Sequence, residues 1–365
     1  MLQRTLNTYR KFDWLLLGAA VMLTALGLLA LYSIGLGGED DFSTFKKQLF
    51  FFALGLLVVF VGGVSFHYRW LAFITVPIYV GMMSMLAAVL AFGQTIRGTK
   101  GWLYLGPAGF QPVEIAKVAL IVLMAKFLAT HGRYTKDIRV VIQSAVTVAL
   151  MLLLVMLQPD LGGAVILAAI WFGMVLVSGL RLRHLLTMAA IAAIFFVGAW
   201  SFLLRPYQKE RIMTFVHPSS DPFGQGYNVT QSVIAIGAGQ LTGRGIASGS
   251  QSQLRFLPEA RTDFIFSVIA EELGFVGVAI LFGLFAILFQ RLYVLAKTSR
   301  DDFTLFLVIG TAVLIAAEVF VNVGVASGIM PVTGIALPFV SYGGSSLIMH
   351  FALIALMQNI AVRRG

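Results

Sequence analysis

The chain has 365 residues, of which 59% are hydrophobic and 12% charged, and its mean hydropathy is +0.91. Soluble domains carry about 25% charged residues, so a water-solvated globule is excluded and lipid is the expected main solvent. A net charge of +10 would suit nucleic acid, but the basic residues lie between apolar runs and point to an anionic membrane surface instead; the absence of cysteine excludes disulfides, thiolate nucleophiles and Cys-ligated metals.

A helix that crosses a bilayer needs about 20 mostly apolar residues. Ten such spans are predicted, at 13–37, 48–66, 70–92, 112–131, 140–158, 161–178, 185–204, 264–289, 303–325 and 345–361. The expected architecture is therefore an all-α polytopic membrane protein, a single domain over 1–365. The first apolar span, from Trp14, is long enough to stay in the bilayer rather than serve as a cleaved signal. Ahead of it, Leu2, Leu6, Tyr9 and Phe12 recur at helical spacing, which suits either a short interfacial helix or an ordinary juxtamembrane leader. Only His67-Tyr68-Arg69 separates the second and third spans, so these form a tight hairpin.

Lys and Arg placement sets orientation. One set of connecting segments and ends holds fourteen of them: Arg4, Arg10, Lys11, Arg69, Arg133, Lys136, Arg139, Arg181, Arg183, Arg291, Lys297, Arg300, Arg363 and Arg364. The short segments on the other side hold four: Lys46, Lys47, Arg97 and Lys100. Both termini are thus expected in the cytoplasm, with the long loop 205–263 outside.

Ionisable groups within spans are costly, at roughly 2.5–3.5 kcal/mol each on insertion scales, and usually face the protein interior. In the fourth span Glu114 and Lys117 are spaced i,i+3 on one helix face. That spacing allows a mutual ion pair, a place at the mouth of an outer cavity where Lys117 attracts an anionic head group, or both. The turn Gln158-Pro159-Asp160-Leu161-Gly162-Gly163 delivers Asp160 to the membrane edge, either as a turn cap or as a carboxylate facing Lys117. Glu271 and Glu272 in the eighth span point about 100° apart. Eight residues separate Asp263 from Glu271, so the two are expected on one face; Glu271 either joins the same cavity or bonds backbone at a helix break. Glu318 and Asn322, spaced i,i+4 in the ninth span, read as a buried interhelical hydrogen-bond pair. His350 in the tenth reads as a satisfied core histidine.

Two outer segments carry their own patterns. Within 205–263, Asn228 to Ala238 reads as a short amphipathic helix ended by glycines. The run Gly237-Ala238-Gly239-Gln240-Leu241-Thr242-Gly243-Arg244-Gly245 lacks the GxxxxGK[ST] pattern of a nucleotide site; it leaves open an approach of backbone N–H groups to a diphosphate. Arg255, Glu259, Arg261 and Asp263 follow, and Asp263 stands where polar loop meets apolar helix. The segment 326–345 is apolar yet broken by Pro and Gly, as expected of a re-entrant wall buried in protein, and Ser327, Thr333 and Ser341 offer hydroxyls there.

These stretches together resemble the SEDS family (shape, elongation, division and sporulation), and within it the RodA branch more than the FtsW branch. The resemblance runs in order through Gly98 to Trp102, Gln111 to Lys117, Gln158 to Gly162, Asp221 to Tyr227, Gln231 to Gly245, Phe256 to Gly277 and Asn322 to Ser346. Its most specific parts are Phe256-Leu257-Pro258-Glu259 with Thr262-Asp263-Phe264, and Pro331-Val332-Thr333-Gly334 with Ser341-Tyr342-Gly343-Gly344-Ser345-Ser346. Two departures stand out. The family often has Pro-Ser-Glu where this chain has Pro112-Val113-Glu114, and an Arg before the Trp that is Trp102 here, where this chain has Gly101.

The resemblance implies a peptidoglycan glycosyltransferase of the cytoplasmic (inner) membrane. It would polymerise lipid II with a class B penicillin-binding protein and other elongation-machinery membrane proteins as partners. The family's catalytic aspartate falls on Asp263, the expected general base of a single inverting displacement; taken alone, that aspartate also suits an N-cap of the eighth helix. Candidate groups for the lipid diphosphate and cavity are Lys117, Lys100, Arg97, Arg261, Glu114, Asp160 and Ser327, with a divalent ion, Mg or Mn, as an optional aid. A lipid II flippase and a non-enzymatic scaffold are the rival readings. The chain lacks the inverted-repeat symmetry a transporter of this size would show.

Overall fold

The computed structural model describes residues 9–37, 42–96, 99–105, 108–131, 138–179, 206–216, 224–254 and 256–364, with Thr187, Gly198, Trp200 and Ser201. Its helices are α1 (Trp14–Leu36), α2 (Ser43–Ser65), α3 (Trp70–Phe73), α4 (Thr75–Phe92), α5 (Pro112–His131), α6 (Ile138–Leu157), α7 (Leu161–Val177), α8 (Pro206–Val216), α9 (Gln225–Gly239), α10 (Ser250–Gln253), α11 (Ile265–Lys297), α12 (Asp302–Ala326) and α13 (Gly344–Val362). Between α4 and α5 lies a small antiparallel sheet of β1 (Gln94–Ile96), β2 (Thr99–Leu105) and β3 (Ala108–Phe110), in the order β1-β2-β3. Thr95 pairs with Lys100 and Leu103 with Phe110.

Seven of the described helices are long and apolar enough to cross a membrane. Their outer faces carry Phe50, Val76, Phe92 and Phe275 in the open, and the short α3 adds Trp70 and Phe73, which fits a lipid solvent. Helix limits follow local chemistry. Pro112 opens α5, where its missing N–H costs nothing. Asp160 caps α7 by accepting from Gly163 N, and Asp301 caps α12 by accepting from Thr304 N. The predicted seventh span, 185–204, lies outside the described residues apart from its four isolated positions. The expected interfacial segment 1–12 is described only from Tyr9 onward.

Three differences from the expected spans are physical. The third span is two pieces, α3 and α4, joined at Ile74. The sheet replaces what looked like a plain connection. The eighth span runs to Lys297 and is broken at Gly274, whose backbone has φ 64° and ψ −161°.

The break in α11 is filled by the glycine-rich run before it. Gln240 and Leu241 carbonyls accept from Phe275 N (2.9 Å) and Val276 N (3.1 Å). Arg244 N and Gly245 N donate to the Glu271 and Glu272 carbonyls at 2.9 and 3.0 Å. The loop therefore supplies the partners that a continuous helix would have supplied itself. Two of its N–H groups, those of Arg244 and Gly245, are thereby spent on α11.

The two neighbouring carboxylates are anchors. Glu271 accepts from Gln251 N (2.8 Å) and Ser252 N (3.1 Å), and Glu272 accepts from the Ser33 hydroxyl. Asp263 precedes the helix, so the shared face expected with Glu271 is not formed; Glu271 turns toward 250–252 instead.

At the centre, α12 packs against α5, α7 and α11, while α2 packs along α13. Gly55 and Gly63 of α2 lie against Phe351 and Gln358 of α13, the close approach that small residues give membrane helices. A test of the α11 break is Gly274→Ala. A Cβ there meets the backbone of Leu241 and Gly243 at a φ that only glycine adopts freely. The variant should lose about 1–3 kcal/mol or more, read as a lower unfolding temperature in detergent.

Candidate functional site

Asp263 lies in the turn ahead of α11 and is half-buried. The N-cap position of the helix is Phe264, whose side chain makes no capping bond. The turn is clasped by the irregular chain between α12 and α13. Asn322 Nδ2 donates to both the Asp263 carbonyl (3.0 Å) and the Ile335 carbonyl (2.8 Å). Ser341 Oγ donates to the Thr262 carbonyl at 2.7 Å and accepts from Leu337 N at 2.8 Å. Tyr342 N donates to the Arg261 carbonyl at 2.9 Å. From α2, Gln48 Nε2 donates to the Ser341 carbonyl (3.0 Å) while its Oε1 accepts from Gly343 N (3.2 Å).

The Asp263 carboxyl looks toward this chain. A Cβ placed on Gly334 would lie 3.9 Å from Asp263 Oδ2. Most of 335–341 is buried in protein, the condition under which irregular backbone is tolerated at membrane depth. Beside Asp263, the Oδ1 of Asn322 and the Oγ1 of Thr333 are buried polar atoms without a hydrogen-bond partner.

A second polar centre is built by three helices. Lys117 Nζ lies 2.7 Å from Glu114 Oε1, the i,i+3 pair expected from spacing, and 2.7 Å from Glu318 Oε1 on α12. The ammonium is only 3% exposed. Glu318 Oε2 is 2.7 Å from His350 Nε2 on α13, and His350 Nδ1 is 2.7 Å from the Ser346 carbonyl. Glu318 and Asn322 thus make the buried hydrogen bonds to other elements expected of them, Glu318 to α5 and α13 and Asn322 to the turn before α11 and the chain before α13. Each reaches a different neighbour from the same face of α12, one turn and about 6 Å apart along the axis. That turn links the Lys117 centre to the clasp on Asp263.

Asp160 takes the first of its expected roles, that of a cap. Its Oδ1 accepts from Gly163 N at 2.8 Å, and its Oδ2 lies 3.4 Å from Gln111 Nε2. Burial pushes its carboxyl above the usual aspartate range, opposed by the Gly163 N–H and by the Lys117 charge; Asp160 thus sits within the field of the Lys117 centre.

The remaining candidates disperse. Lys100 Nζ donates to the Leu90 carbonyl at 2.6 Å and the Ala91 carbonyl at 3.4 Å, at the end of α4. That place suits a cation at a helix C-terminus and turns Lys100 away from the head-group role expected of it. Arg261 Nη1 donates to Thr44 Oγ1 at 3.0 Å, linking the Asp263 turn to α2. Ser327 is the C-cap residue of α12. Arg97 and Arg255 lie outside the described residues. Arg211 of α8 donates to the Val332 carbonyl at 3.4 Å, bringing a cation to the irregular chain. Among the described residues, no group of three or more His, Asp or Glu side chains is arranged to hold a metal ion.

The sequence reading missed Gln48, the pairing of Glu318 with Lys117 and the place of His350 in that chain of charges. The only available signal was that each is a polar group inside an apolar span.

The cell cycle protein family model of FtsW, RodA and SpoVE matches residues 13–365. The chain is 37% identical over 354 residues to the peptidoglycan glycosyltransferase MrdB of Escherichia coli (strain K12), covering 94% of this chain and 93% of that protein. It is 32% identical over 356 residues to the stage V sporulation protein E of Bacillus subtilis (strain 168), covering 96% of each. Among solved structures, a chain of a peptidoglycan synthase complex, studied for its coordination of polymerization and crosslinking, superposes with TM-score 0.81 at 37% identity, covering 97% of this chain and 98% of that one. The rod shape determining protein RodA of Thermus thermophilus superposes with TM-score 0.71 at 32% identity, covering 97% of both chains. With a family model matching nearly its whole length and relatives alike from end to end, this chain belongs to the FtsW, RodA and SpoVE family, the SEDS family expected from its motifs.

Proposed function

We propose that this chain is a peptidoglycan glycosyltransferase that polymerises lipid II into glycan strands at the outer face of the cytoplasmic (inner) membrane. The reading has ten spans with both termini cytoplasmic, a long outer loop at 205–263 and a re-entrant outer wall at 326–345. The uneven distribution of basic residues supports that orientation. Likeness to MrdB supports the activity and a role in elongation and cell shape. Likeness to a chain of a peptidoglycan synthase complex supports a class B penicillin-binding protein as partner; other elongation-machinery proteins belong to the reading through the motif resemblance alone.

The observation that carries the reading is the single turn of α12 joining Lys117 to the Asp263 clasp. Chain growth joins an acceptor 4-hydroxyl to a donor anomeric carbon as the lipid diphosphate departs. Asp263 takes the hydroxyl proton as general base. The α-linked donor gives a β-1,4 product in one inversion. Lys117 stabilises the departing diphosphate, with Glu114 orienting it and Asp160 near by; Arg261, in the turn before α11, and Ser327, at the end of α12, are further candidates for the lipid head group. A Mg or Mn ion carried by the diphosphate itself would share that charge.

Two outcomes follow. Asp263→Asn, purified and given labelled lipid II, should keep its fold and lose about 10²–10⁴-fold in polymerisation rate; a folded variant working at the wild-type rate overturns the base assignment. Lys117→Met should cost about 3–5 kcal/mol of stability, because Glu114 is left buried without its cation and Glu318 keeps only His350. Thermal unfolding in detergent reads that loss, and Lys117→Arg, which keeps the charge, should lose less.

A further inference from the structure

We infer that Glu318 and His350 are positioning residues for Lys117: together they hold the ammonium in place while keeping the buried centre electrically neutral toward an anionic lipid diphosphate. This rests on the reading of Lys117 as the cation that receives that diphosphate.

Charge counting motivates the assignment. Lys117 lies 2.7 Å from each of two carboxylates, Glu114 and Glu318. One ammonium and two carboxylates sum to −1. A centre with that charge, deep among apolar helices, repels a diphosphate and draws the ammonium inward. His350 removes the excess. Its Nδ1 faces the Ser346 carbonyl at 2.7 Å, and a carbonyl oxygen only accepts, so Nδ1 carries hydrogen. Its Nε2 faces Glu318 Oε2 at 2.7 Å. That contact also needs a proton between the two atoms. Whichever atom holds it, the Glu318–His350 pair is neutral and the four groups sum to zero.

The geometry separates the two carboxylates by task. Glu114 precedes Lys117 on its own helix. Glu318 comes from α12 and shares its face with Asn322, which holds the Asp263 turn. His350 comes from α13, and its ring lies 5.2 Å from that of Phe339, in the chain that clasps Asp263. The charged groups facing His350 are Glu318 from α12 and, farther off, Glu114 and Lys117 from α5. The pair thus ties the cation to the two elements that fix Asp263.

The test compares binding and turnover in three proteins: wild type, His350→Leu, and the double variant Glu318→Gln/His350→Leu. Undecaprenyl diphosphate binding to the purified protein in detergent is measured beside lipid II kinetics. His350→Leu leaves the centre at −1 and should weaken binding and raise KM by roughly tenfold or more, with a smaller change in kcat. The double variant restores neutrality and should recover most of that loss, although it removes more native polar contacts. A pairing that served packing alone predicts the opposite order, with the double variant no better than the single one. That order, or His350→Leu binding like wild type, overturns the inference. Should His350→Leu fail to fold, His350→Gln replaces it in both proteins, with the same ranking expected. The binding arm does not depend on polymerisation, so a wild type that binds the diphosphate lipid but makes no glycan counts against the proposed activity and leaves the charge assignment to be decided by the same ranking.

Discussion

Burying an ammonium among apolar helices is tolerable only if carboxylates meet it there, and Lys117 is met by two. Taking such charges out of water costs several kcal/mol per ion, and the cost is offset only by close and fully bonded partners. That requirement fixes geometry. Glu114 shares a helix with Lys117 and needs no tertiary partner. Glu318 does need one, so the Lys117–Glu318 contact locks the rotation and depth of α12 against α5. His350 then sets α13 against α12. Three helices are thereby registered by one chain of charges, and the apolar packing around it follows that register.

Registration of α12 has a second effect. One turn beyond Glu318, Asn322 reaches the carbonyls of Asp263 and Ile335 together. The irregular chain at 335–343 would otherwise carry open backbone groups into an apolar region. Ser341, Gln48 and Tyr342 N complete its hydrogen bonding and attach it to the turn before α11. Asp263 is placed by backbone bonds from its neighbours, an arrangement that fixes its position while leaving its carboxyl facing Gly334.

Two groups of carboxylates can be set side by side. Glu271 and Glu272 close the break in α11, accepting from segments that would otherwise leave donors unsatisfied. Asp263, Glu114 and Asp160 belong to the side that the proposed chemistry needs. Burial alone does not separate them, since Glu271 and Glu272 are as buried as Glu318. What separates Glu271 and Glu272 from Glu114 is that backbone N–H groups and hydroxyls hold the first two, while a side-chain cation holds the third.

Much of this was readable beforehand. Apolar run length set the long described helices, Pro112 marked the start of α5, and i,i+3 spacing gave the Glu114–Lys117 pair. The motif around Asp263 identified the family, and Asp160 announced itself as a cap. Each of these depends on residues close in sequence, where a 3.6-residue period or a turn dictates the geometry. What only the tertiary structure decided were contacts between distant elements: Glu318 with Lys117, His350 with Glu318, Lys100 at the end of α4, and the glycine-rich run in the break of α11. Periodicity tells which residues share a face of one helix. It does not tell how deep that helix sits or which neighbour the face meets, because those follow from packing all the helices at once.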